Sequence, residues 1–155
     1  MVLYHYASAD NTPARKDMNM RRRIAFILYL AWILLILGFT LQNGEASATT
    51  SKWYVESLHG LFMKIDLQVS LELLTTIIRK GAHFSEYAVL GGLSSMNARM
   101  NQNRLFYLSA FLPFLDETIQ TQIDGRAGRF SDVLIDLSGY LLGYLIGRMT
   151  RKNAR

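Results

Sequence analysis

Apolar residues along the chain fall into blocks separated by polar and charged connections. The longest block, residues 24–41 (IAFILYLAWILLILGFTL), holds 18 residues without a charge. At 1.5 Å per residue, a helix of that length just crosses the ~30 Å hydrocarbon layer of a bilayer. Arg21, Arg22 and Arg23 stand directly before it and hold the amino-terminal side in the cytoplasm. Ala46, Ser47 and Ala48 imitate a signal-peptide cleavage site. The apolar run is longer than a signal peptide's, however, and polar residues 42–45 intervene, so a retained span is expected. Weaker blocks follow at 82–98, 105–123 and 131–148. They are interrupted by His83 and Glu86, by Asp116 and Glu117, and by Asp132 and Asp136. The pattern predicts an all-α fold, a bundle of four transmembrane helices with both termini cytoplasmic.

Residues 67–78 place apolar side chains at 67, 71, 74 and 78, with 73 and 77 alongside. This helical spacing predicts an interfacial helix between spans one and two, lying on the outer membrane surface. Trp53 and Tyr54 suit the same boundary. A loop helix packed on the bundle is the other reading. Residues 1–17 lack apolar periodicity, and residues 1–20 are expected to form a disordered cytoplasmic tail. The transmembrane domain then covers 21–150, and a basic tail covers 151–155.

Charge sharpens the topology. The net charge is +5, and in the four-span arrangement 11 of the 17 Lys and Arg residues lie inside, among them Arg99, Arg104 and Arg148. Of the 12 acidic residues only Asp10 and Asp17 do. This is the positive-inside pattern, and it accounts for the basic composition without nucleic acid. The competing arrangement is a soluble helical domain on one anchor. The absence of Cys excludes disulfides, thiolate nucleophiles and Cys-based zinc or iron–sulfur sites.

The charges inside the blocks define the candidate chemistry. Counted from the cytoplasmic arginines, Glu86 stands ~20 Å up its helix, and Asp116 and Asp136 each ~18 Å. Three helices therefore bring carboxylates to one depth, just outside the bilayer centre. His83 shares a helix face with Glu86 and Tyr87, three and four residues on. Lys80 is one turn further out. Asp116 is one turn from Gln120 and adjacent to Glu117; Asp132 is one turn from Asp136. Pro113 kinks the third span, and Arg126 and Arg129 sit in the short outer turn. Charges inside a bilayer must face the bundle interior and find partners, here Lys80, Arg126 and protonated His83.

Two explanations of this cluster stay open. It is either an ion-pair network fixing helix registry in an accessory subunit, or a polar cavity open to the outer leaflet. A cavity lined by Lys80, His83, Glu86, Tyr87, Asp116, Glu117, Gln120, Arg126, Asp132 and Asp136 suits an anionic lipid or lipid-linked glycan headgroup. An enzyme acting on such a lipid would draw its catalytic groups from His83, Glu86, Asp116, Glu117 and Asp132. Metal binding by His83, Glu86 and Asp116, with Asp136, is the loosest signature, because only one His is present, and no metal or other cofactor is called for. Ser85 is two residues from His83 and faces elsewhere on the helix, which argues against a Ser–His hydrolase. Gly139, Gly143 and Gly147 form a small-residue stripe for close helix packing, with Gly91 and Gly92 as an opposing surface.

Several of these motifs, in this order, resemble the VanZ-like family. Arg79-Lys80-Gly81-Ala82-His83-Phe84-Ser85-Glu86-Tyr87 with Leu90-Gly91 is similar to its second-span signature. Asp116-Glu117-Thr118-Ile119-Gln120, then Gly125-Arg126, is similar to its third. Asp132, Asp136, Gly139 and Gly143 are similar to its fourth, though many relatives carry Asn where Asp136 stands, which puts more weight on Asp132. The resemblance implies a multi-pass protein of the bacterial cytoplasmic membrane. It places the protein in the cell envelope, in a family whose founding member is associated with resistance to teicoplanin. The cavity reading, in turn, makes membrane lipids or a lipid-linked cell-wall precursor the expected partners. The resemblance supplies no reaction.

Overall fold

The computed structural model describes residues 13–101, 104–126 and 128–153. Among them are five helices: α1 Pro13–Thr40, α2 Gly44–Lys64, α3 Leu71–Asn101, α4 Arg104–Gln120 and α5 Phe130–Asn153. Local chemistry sets several boundaries. Pro13 suits a first helical position, where its fixed φ is already helical and its missing N–H costs nothing. Asn43 is extended, and its side chain accepts the Ala46 N–H at 2.8 Å, capping α2. The chain leaves α2 through Asp66, at φ 58°. Ser70 Oγ then accepts the Leu73 N–H at 3.2 Å and starts α3.

Three expectations are corrected. The amphipathic stretch 67–78 is not a separate interfacial helix, because from Leu71 it forms the first turns of α3. Arg79, Lys80 and Gly81 do not break that helix; the separate helix between the first and second blocks is α2. The amino-terminal tail is shorter than 1–20, since residues 13–20 belong to α1, where Lys, Arg and Met favour helix. Residues 1–12 of that tail, and 154–155 of the basic tail, lie outside the described residues. The third block ends as a helix at Gln120, and residues 121–123 form turns.

Burial is inverted relative to a water-soluble protein. Leu34 is 69% exposed and Leu108 65%, whereas Asn97, Ser94, Ser109 and Asp136 are each 0% exposed. Large apolar surface outside and polar side chains inside suit lipid as the surrounding solvent. Among the described residues, Lys16–Thr40 and Phe130–Thr150 are the two segments long and apolar enough to cross a membrane.

Helix α3 is central and packs most extensively against α5, with α1, α2 and α4 around it. The α3–α5 seam is backbone against backbone. A Cβ placed on Gly139 would overlap the Phe84 carbonyl, one on Gly143 the Ala88 carbonyl, and one on Gly91 the Tyr140 carbonyl. A Cβ on Gly147 would strike Ser95 Oγ. With little hydrophobic drive between helices in lipid, such close approach maximises dispersion contact. Buried and half-buried hydrogen bonds join the other helices: Tyr29 Oη with Ser109 Oγ at 2.8 Å, Trp32 Nε1 to the Glu86 carbonyl at 2.8 Å, Asn97 Nδ2 to the Ala25 carbonyl at 3.1 Å, and Tyr140 Oη to the Phe106 carbonyl at 3.0 Å.

Candidate functional site

The helical register of α3 turns Lys80, His83 and Tyr87 toward the ends of α4 and α5 that carry acids. His83 Nδ1 lies 3.6 Å from Asp136 Oδ1 and 4.0 Å from Asp116 Oδ2. Asp116 is the best-held carboxylate of the group. Its Oδ2 accepts from Tyr87 Oη at 3.1 Å and its Oδ1 from Gln120 Nε2 at 2.7 Å. Asp136 is fully buried, and neither of its oxygens has a hydrogen-bond partner within the protein; His83 Nδ1 is likewise unpartnered. One turn outward, Lys80 Nζ donates to Asp132 Oδ1 at 3.0 Å, and Ser131 Oγ donates to the same oxygen at 3.1 Å.

Two sequence candidates face elsewhere. Glu117 Oε2 accepts the Arg129 backbone N–H at 2.7 Å, so it closes the turn before α5. Glu86 is half-buried on a cavity wall and stands outside the His83–Asp116–Asp136 group. Arg126, in the turn between α4 and α5, spends one nitrogen on backbone. Its Nη1 donates to the carbonyls of Phe39, Thr40 and Gln42 at 3.0, 3.4 and 3.3 Å, satisfying the end of α1. Its buried Nε has no partner. Burial, and then neighbouring Arg79, push this guanidinium below its ordinary value, against the pull of Asp116, Glu117 and Glu86.

Two cavities flank the group and share Arg79, His83 and Arg126. The first, about 310 Å³, lies against the end of α1 and the start of α2, with Glu86 and Asp116 in its wall. The second, about 270 Å³, is cationic: Arg79, Lys80, Arg126 and Arg129 surround it, with Asp132 as its acid. An apolar groove of about 600 Å³ between α2 and α3 continues from the first cavity through Tyr54, Ile78 and Ala82. The sequence reading missed the contribution of α2. Ser47, Thr50, Ser51 and Tyr54 line the first cavity from one face. Their spacing of three, four and seven residues is a helical stripe that was legible. Arg79 was also passed over as a site residue, having been read only as part of a motif. His83, Asp116 and Asp136 offer ligand atoms all within 4.8 Å of one another, a spacing that could hold a metal ion.

Apolar helices around a buried polar group define a helical membrane protein. A family model described as VanZ/LLP1 matches residues 25–151, and the chain belongs to that family. No curated protein and no solved structure matches it significantly.

Proposed function

We propose that the protein crosses the bacterial cytoplasmic membrane four times, through α1, α3, α4 and α5, with both termini inside and domain limits near 21–150. In this reading α2 lies on the outer surface and the two cavities open to the outer leaflet. Their ligand is the headgroup of an anionic lipid or lipid-linked glycan, with an acyl or prenyl chain along the α2–α3 groove. The observation that carries the reading is the second cavity, where four cationic side chains meet one carboxylate; it shares Arg79 and Arg126 with the first cavity, which continues into the groove. A phosphate there would meet Lys80 and the guanidinium groups of Arg79 and Arg126, the latter with an unused Nε.

Native mass spectrometry of detergent-purified protein tests this. Offered phosphatidylglycerol, a polyprenyl phosphate or phosphatidylcholine, the protein should retain the first two. The Arg79 side chain forms no hydrogen bond or ion pair with another described residue, so Arg79→Gln should weaken retention without unfolding the bundle. Equal retention of phosphatidylcholine would overturn the reading. A second reading, a hydrolase or transferase acting on the same lipid, is favoured by His83 standing beside two carboxylates on a cavity wall. Release of phosphate or glycan from a lipid-linked substrate, lost in His83→Ala, would establish it. Expression in a teicoplanin-sensitive host would show whether this member takes part in resistance.

A further inference from the structure

The group at the centre of the bundle has a geometry that hydrogen bonding does not explain. His83 Nδ1 stands 3.6 Å from Asp136 Oδ1 and 4.0 Å from Asp116 Oδ2. A charge-assisted hydrogen bond would close to about 2.7–2.9 Å. Donor atoms that share a small cation instead stand apart, because each lies about 2.0–2.2 Å from the ion, which sets neighbouring donors roughly 3–4 Å from one another. Asp136 makes the same point independently. It is 0% exposed, both its oxygens are unpartnered, and one of them is aimed at an unpartnered imidazole nitrogen. A carboxylate withdrawn from water and left without a hydrogen bond calls for a counter-charge at that spot.

We propose that His83, Asp116 and Asp136 bind one divalent first-row transition-metal ion. The site draws one ligand each from α3, α4 and α5, so the ion ties together the helices that carry the acids. One imidazole and two carboxylates suit Zn²⁺, Mn²⁺ or Fe²⁺; Ca²⁺ and Mg²⁺ favour all-oxygen sites, and Cu⁺ favours sulfur. Tyr87 Oη donates to Asp116 Oδ2 and Gln120 Nε2 to Oδ1, fixing the carboxylate's orientation as outer partners of a metal ligand do. Three protein ligands leave a coordination position free. His83 and Asp116 both line the first cavity, so that position faces the same space as Glu86 and Arg126. The set is narrower than the sequence expectation: Glu86 drops out, and His83, Asp116 and Asp136 remain.

The inference does not depend on the lipid reading, and the two fail separately. Protein purified through a histidine-free tag is stripped with EDTA, incubated with ZnCl₂, MnCl₂ or ferrous sulfate, desalted, and its metal measured by mass spectrometry. About one equivalent of Zn²⁺, Mn²⁺ or Fe²⁺ should stay, and the melting temperature should rise on loading. His83→Gln and Asp136→Asn, which keep the side-chain size, should each hold less than about a tenth of an equivalent and lose the thermal shift. His59→Ala, altered on α2, should bind as the parent does. Retention below a tenth of an equivalent in the parent protein overturns the proposal, as a protonated Asp136 would produce. Equal retention in parent and His83→Gln overturns it too, by showing adventitious binding. If one variant fails to fold, the other carries the comparison. Anionic-lipid retention measured on the same metal-free protein reports on the headgroup reading alone.

Discussion

Replacing Gly143 with Ala probes the contact that brings α5 against α3. A Cβ at this position would overlap the Ala88 carbonyl and come within 2.9 Å of its Cα. The obstacle is backbone, so no rotamer change relieves it and the two helices must separate. Overpacking of this kind costs about 1–3 kcal/mol. Ala returns about 1 kcal/mol through its better helix propensity. The net expectation is a loss of about 0–2 kcal/mol. Gly38 in α1 is the matched control, because nothing lies within 4 Å of a Cβ built there. Gly38→Ala should therefore keep the propensity gain of up to about 1 kcal/mol and no more. Reversible unfolding in mixed micelles, followed by circular dichroism, should separate the two variants by about 1–3 kcal/mol, the overpacking cost that only Gly143→Ala carries. Equal stability within about 0.5 kcal/mol, a typical error for such comparisons, would refute the backbone-to-backbone seam.

Two further outcomes are expected. Arg126→Met removes the one nitrogen that serves three carbonyls, so the end of α1 should lose about 1–2 kcal/mol, and amide exchange at Gln42 and Gly44 should quicken. The Lys80–Asp132 pair is half-exposed, with side-chain accessibilities of 37% and 26%. Lys80→Met should therefore change stability by no more than about 1 kcal/mol, while retention of anionic lipid falls several-fold; a large stability loss with unchanged lipid retention would assign the pair to structure alone.

The physical reasons separate what the chain reveals in one dimension from what it conceals. Residues 24–41 stand out because an uncharged run of bilayer length is long and apolar enough to cross a membrane. The start of α3 is concealed because Arg79, Lys80 and Gly81 interrupt the apolar pattern, although Ser70 caps a helix that runs straight through them. Helix α2 is concealed by its Ser and Thr content, although the capping Asn43 was a visible signal. Lys80, His83, Tyr87, Asp116, Gln120, Asp132 and Asp136 are neighbours because helical periodicity and similar depth constrain them. Those constraints do not decide helix rotation, which turns Asp136 rather than Glu86 toward His83 and Glu117 toward Arg129. The partners of Arg126 and of the α5 glycines are backbone atoms, which no side-chain pattern reports.

The central claim is a polar cavity that opens to the outer face of the membrane. The chain has no Cys, so a single introduced thiol is an unambiguous reporter. Thr76, an exposed residue of the second cavity, is changed to Cys, and intact cells are treated with a membrane-impermeant maleimide. Thr76→Cys should label from outside, while Thr150→Cys near the end of α5 should label only after the inner membrane is permeabilised. Labelling of Thr76→Cys only after permeabilisation would contradict the account.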